Sequence, residues 1–183
     1  ALTVIWALAI GMIILAGMSR LPFRVILVTG AVLVGAHNLT DGFDPEGLPA
    51  AFGWALVHEA NAFQLGHFLT FVGYPILPWA GIMMLGYCFG TLYQNNTNND
   101  FRKKRLLLLG AGAILLFISL RVFNTYGDPL LWSPQATGLY SFFSFINVTK
   151  YPPSLQYVLI TLGPSMFFLA FAENWRGKLW QYI

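Results

Sequence analysis

Tyr74-Pro75-Ile76-Leu77-Pro78-Trp79, running into Gly81-Ile82-Met83-Met84-Leu85-Gly86-Tyr87-Cys88-Phe89-Gly90, opens a long apolar stretch without a charged side chain. Only a bilayer or a fully buried core accommodates such a run. The prolines and aromatic residues at its start read as the interfacial collar of a transmembrane helix.

Outward from that stretch the chain keeps the same character: 57% of its residues are hydrophobic and 9% are charged. A soluble domain carries about 25% charged residues. A soluble bundle would also show polar faces recurring at a period near 3.6, which most of the long apolar runs lack. The expected fold is therefore all-α, a polytopic transmembrane bundle forming one membrane domain over residues 1–183. Five spans can be drawn near the ~20 residues that a bilayer requires, at 2–18, 22–38, 75–93, 106–123 and 154–172. Residues 40–73, with Asp41, Asp44, Glu46, His58, Glu59 and His67 among aromatic and apolar neighbours, read as a loop followed by an interfacial or re-entrant helix.

The cations set an orientation, because Lys and Arg near membrane ends are retained on the cytoplasmic side. Arg20 and Arg24, the run at 102–105, and Arg176 with Lys178 fall on one side of alternating spans, and most acids fall on the other. The first residue is then outside and the last inside. Topology accounts for the net charge of +3, and the basic residues lack the interleaved aromatics of a nucleic-acid surface, so no nucleic-acid partner is expected. The run at 102–105 fixes topology and binds anionic headgroups, or attracts the phosphates of an acyl-CoA. The polar tract before it, 94–100, reads as a mobile loop. Cys88, the single cysteine, packs as a small hydrophobe. Gly81, Gly86, Gly90, Gly110 and Gly112 read as sites of close helix approach. Both edges of the sequence fall close to apolar spans, and the chain reads as a fragment of a longer membrane protein.

Candidate site residues lie on the external side. On a continuing helix, His37 and Asp41 share a face, and an imidazole oriented by a carboxylate can act as a general base; the other reading is a helix-end cap. His58 is a further candidate, whereas His58 and His67 are too widely spaced for a single-turn metal pair, and no metal site is expected. Arg121 sits at the outer end of the fourth span, where a charge is costly and calls for a partner. Asp128 is the candidate partner; alternatively Arg121 faces a polar cavity and takes an anionic substrate group. Lys150 and Tyr151 precede paired prolines, with Ser154 placed to cap the fifth helix, and either contact a sugar or phosphate acceptor or anchor the chain at the interface.

Tyr74-Pro75-Ile76-Leu77-Pro78-Trp79, Gly86-Tyr87-Cys88-Phe89-Gly90, Tyr126-Gly127-Asp128-Pro129 with Trp132, and Asn147-Val148-Thr149-Lys150-Tyr151-Pro152-Pro153-Ser154-Leu155 together resemble a bacterial membrane-protein family. That family is related to the catalytic domain of heparan-alpha-glucosaminide N-acetyltransferase. The resemblance implies an enzyme of the bacterial inner membrane that moves an acyl group, acetyl above all, from a cytoplasmic thioester to an extracytoplasmic acceptor of sugar or lipid-linked type. Acetyl-CoA or another acyl-CoA would be the donor, with no resident cofactor. The family's opening segment, an Asp-x-x-Arg-Gly pattern followed by a histidine, has no counterpart here, so the resemblance assigns no catalytic residue to this chain. A reading from another class remains open: a transport or binding module in which Arg121, Asp128 and Lys150 guide a polar solute.

Overall fold

The computed structural model describes residues 1–94 and 98–173. Among these residues seven helices run in the order α1 (Val4–Met18), α2 (Phe23–Ala36), α3 (Leu48–Val57), α4 (Ile76–Gly90), α5 (Asn99–Phe123), α6 (Gly138–Ile146) and α7 (Leu155–Ala172). Short 3-10 turns extend α2 over His37–Thr40 and α4 over Thr91–Tyr93. Among the described residues four segments are long and apolar enough to cross a bilayer: Phe23–Thr40, Ile76–Tyr93, Asn99–Phe123 and Leu155–Ala172. The 15 residues of α1 reach about 22 Å at 1.5 Å per residue, short of the ~30 Å hydrocarbon core.

Packing is inside-out relative to a water-soluble bundle. Large apolar side chains such as Ile13, Val28, Leu115, Val122 and Phe168 point outward, while small residues such as Ala7, Ala80 and Ala170 are buried between helices. Without a hydrophobic driving force between helices in lipid, association depends on close backbone approach. Two glycine pairs supply it. A Cβ on Gly81 would lie 2.9 Å from Leu33 Cβ and 3.2 Å from the Gly30 carbonyl, and one on Gly110 would lie 3.0 Å from the Gly163 carbonyl. Thus α2 packs along α4, and α5 along α7. Gly86, Gly90 and Gly112, read from the sequence as further close approaches, have no neighbour that a Cβ would meet.

Bonds between distant segments show which helix ends lie together. Tyr126 donates its hydroxyl to the Gly35 carbonyl, and the Leu155 amide donates to Asn38 Oδ1 at 2.9 Å. The Tyr74 and Tyr151 hydroxyls meet at 3.1 Å, and the Leu2 amide donates to the Phe71 carbonyl at 2.7 Å. The starts of α1, α4 and α7 and the ends of α2 and α5 therefore share one end of the bundle. At the other end Arg102 forms a two-pronged pair with Glu173, tying the start of α5 to the end of α7.

Three local outcomes differ from the sequence reading. Residues 40–73 form α3 followed by an antiparallel hairpin, β1 (Asn61–Leu65) with β2 (Phe68–Val72), and Leu2 adds a parallel bridge to Val72. A Gly66-His67 turn with Gly66 at φ 60° closes the hairpin, and the ten residues of α3 are too few to span. Second, α5 starts at Asn99 rather than at 106, because Asn98 caps it through the Asp100 amide at 2.9 Å and Arg102 finds a buried carboxylate. The expected mobile loop thus gives up residues 99 and 100 to the helix; its residues 95–97, like Arg176 and Lys178, lie outside the described residues. Third, α6 occupies a stretch that the sequence reading left without an element.

Candidate functional site

Two clusters form on the end of the bundle that carries Asp41 and Asp128. In the first, α2 tightens into the 3-10 turn because side chains capture its last carbonyls: His37 Nδ1 lies 2.9 Å from the Val34 carbonyl, and Thr40 Oγ1 donates to the His37 carbonyl at 2.7 Å. The tightening turns Asp41 away from His37. Asp41 instead takes Asn38 Nδ2 at 2.7 Å and faces His58 Nε2 at 3.2 Å, at the C-terminal end of α3. The shared face expected for His37 and Asp41 on a continuing helix is not formed; the carboxylate's imidazole partner is His58, which lies 17 residues away.

His58 is 2% exposed and His37 6% exposed, with ring centroids 5.9 Å apart, edge to face. A backbone carbonyl only accepts, so the hydrogen of neutral His37 resides on Nδ1. Nε2 is buried and has no partner at hydrogen-bond geometry among the described residues, although the Pro153 carbonyl also faces the ring. With its hydrogen on Nδ1, the ring keeps Nε2 as a proton acceptor beside a second imidazole held by a carboxylate. Asn38 links Asp41 to the start of α7. His67 is at the exposed hairpin turn and joins neither cluster. Among the described residues, no three His, Cys, Asp or Glu side chains converge as metal ligands.

The second cluster is built on Arg121 and Asp128, which do not form the ion pair the sequence suggested. Arg121 is 1% exposed, and its guanidinium donates to the carbonyls of Phe145 (2.7 Å), Leu130 (2.9 Å), Ser144 (3.1 Å) and Asn147. Asp128 accepts from the Leu130 amide (2.9 Å), the Thr149 amide and hydroxyl (2.7 and 2.9 Å) and Ser154 Oγ (2.6 Å). Each charge is consumed by backbone and hydroxyl groups of the segment between α5 and α7. Ser154 also caps α7 by accepting from the Tyr157 amide at 3.0 Å, as its position suggested.

That scaffold presents Lys150 and Tyr151 at the surface. The Tyr151 ring lies edge-on to Tyr74 at 5.2 Å, Tyr74 leans on Trp79 at 5.6 Å, and Lys150 Nζ stands 5.0 Å from the Tyr151 ring centre. The hydrogen bond from the Tyr74 hydroxyl, and then the Lys150 ammonium, hold the Tyr151 phenol below its ordinary value. Tyr74, whose proton that bond retains, is pushed up. Aromatic faces beside an ammonium and two phenols can stack on and hydrogen-bond a polyhydroxylated ligand.

The family model described as heparan-alpha-glucosaminide N-acetyltransferase, catalytic, matches residues 2–126. The chain belongs to this family. The match spans α1 to α5 and the whole His37–Asp41–His58 cluster, and it ends before the Lys150–Tyr151 surface. Neither the curated proteins nor the solved structures include a match to the chain. Membership in an acetyltransferase catalytic family, joined to the membrane-spanning helices, makes this an integral-membrane protein of acyltransferase type.

Proposed function

We propose that the chain forms part of an integral-membrane acyltransferase that moves an acyl group, acetyl above all, from acetyl-CoA or another acyl-CoA to a sugar-type acceptor on the opposite side of the bilayer. The observation that carries this reading is the buried His37 ring, whose Nε2 has no partner at hydrogen-bond geometry among the described residues, beside the Asp41–His58 pair, in a segment matched by the acetyltransferase family. Acyl transfer needs such a group. As the acceptor's hydroxyl or amine attacks the thioester carbonyl, Nε2 takes its proton, the new C–O or C–N bond forms and the C–S bond breaks. The imidazolium then returns the proton to the departing thiolate. Asp41, held by Asn38 and His58, stabilises the transient positive charge.

Acceptor binding is assigned to Lys150 and Tyr151, with Arg121 and Asp128 positioning the segment that carries them. The end rich in Arg20, Arg24 and residues 102–105 is assigned to the cytoplasm, which places the first residue outside and the last inside.

Membranes containing the protein at its natural length, supplied with radiolabelled acetyl-CoA and an amino-sugar acceptor, test the assignment. General-base catalysis contributes about 10²- to 10⁴-fold, so His37→Gln should reduce transfer by at least about a hundredfold while leaving the amount of folded protein unchanged. A His37→Gln protein that transfers at the wild-type rate would remove His37 from the mechanism. Solute uptake by proteoliposomes without covalent transfer would replace the enzyme by a transporter.

A further inference from the structure

Five of the helices fall into two groups, α1, α2 and α4 on one side and the α5–α7 pair on the other. Hydrogen bonds cross between the groups at the Asp41 end, and at the basic end Arg102 lies 5.1 Å above the Tyr93 ring. Between these ties the seam holds a cavity of about 910 Å³, lined by side chains that include Phe23, Leu27, Leu85, Leu109, Leu162 and Met166. On α7 the lining runs from Val158 to Leu169, a depth of about 16 Å at 1.5 Å per residue. That is roughly one leaflet of a ~30 Å hydrocarbon core.

The basic end of the cavity carries one cation of different standing from its neighbour. Arg102 is consumed by Glu173, whereas Arg105 lines the cavity, is exposed, stacks on Phe101 at 4.8 Å and has no carboxylate partner among the described residues. Apolar walls one leaflet deep, with a guanidinium at headgroup level that has no carboxylate partner among the described residues, match the shape and charge of an amphiphile from that leaflet. We propose that this cavity seats the acyl chains of one anionic phospholipid, its phosphate against Arg105, and that the lipid completes the packing between the two helix groups. Packing supports this, since walls facing a void lose their dispersion partners and the two helix groups gain contact through the chains. This site is separate from the acyl-transfer cluster, and its existence does not depend on that reading.

The full-length protein in nanodiscs of equimolar phosphatidylcholine and phosphatidylglycerol, released into detergent for native mass spectrometry, reports the retained lipid directly. One phosphatidylglycerol per chain is expected, favoured over phosphatidylcholine by about fivefold, the preference that one interfacial cation supplies. Arg105→Gln should abolish the preference but keep a lipid; Leu162→Trp should expel it by filling the volume. Ser165→Phe, on the same wall, serves if Leu162→Trp does not fold. Equal retention of both lipids by the wild type, or a full lipid complement in the folded filled variants, would overturn the proposal. So would displacement of the lipid by palmitoyl-CoA, which would give the cavity to a soluble thioester.

Discussion

At the scale of the residue, charges that look alike in the sequence have opposite fates. Arg121 is surrounded by four carbonyls, a fan that only a planar guanidinium can satisfy. Arg121→Met strands these acceptors in a buried site at about 1–3 kcal/mol for each group left unsatisfied. We expect a loss of more than about 3 kcal/mol, measured as a fall in the thermal unfolding midpoint, with Arg121→Lys recovering only part because an ammonium is too compact to reach all four. Tyr151 offers a test by titration. Its phenol sits below the ordinary value near 10 and Tyr74 above it. As pH rises Tyr151 ionises first, and that ionisation favours the folded state between its lowered pKa and the unfolded one; ionisation of Tyr74, with its raised pKa, opposes it at higher pH. Ultraviolet difference spectra should show a low tyrosinate step that Tyr151→Phe deletes and Lys150→Gln moves upward. A single unshifted transition in the wild type would contradict the geometry.

At the scale of the element, sequence pattern and packing divide the work. The spanning helices were legible because a run of apolar residues near bilayer length has few alternatives in water or lipid. The hairpin was not, since Asn61–Val72 carries no strict alternation and its position depends on Leu2 closing beside Val72. The early start of α5 was also hidden: four consecutive cations read as loop until Glu173, 71 residues away, buries one of them. Close approach of α5 to α7 depends on Gly110 and Gly163. Gly110→Leu should push the pair apart, and as the new side chain meets backbone rather than a flexible neighbour, the cost should reach about 1–3 kcal/mol, seen as a lower midpoint. At Gly112, where a Cβ meets nothing, Gly112→Ala should be neutral or slightly stabilising.

At the scale of the whole molecule, the polar cap and the basic end lie on opposite sides of the bundle, and the proposed orientation follows. In a Cys88→Ala background, a cysteine at exposed His67 should react with a membrane-impermeant maleimide on intact cells, and one at Lys103 only after permeabilisation. The reverse pattern would invert the topology and place the histidine cluster inside. The sequence by itself determined the solvent: with 9% charged residues and long apolar runs, no arrangement of this chain could present a water-compatible surface, and the segregation of cations from acids followed from the same runs. The candidate residues His37, Asp41 and His58 were nameable too, because polar groups beside apolar spans are conspicuous. Only the tertiary structure decided who meets whom: that Asp41 belongs to His58, that His37 turns Nδ1 to the Val34 carbonyl, and that Arg121 and Asp128 turn to backbone and hydroxyl groups instead of to each other. Hydropathy is a sum over neighbours along the chain, whereas these pairings are set by where a 3-10 turn ends and by which distant carbonyls and hydroxyls packing brings within reach.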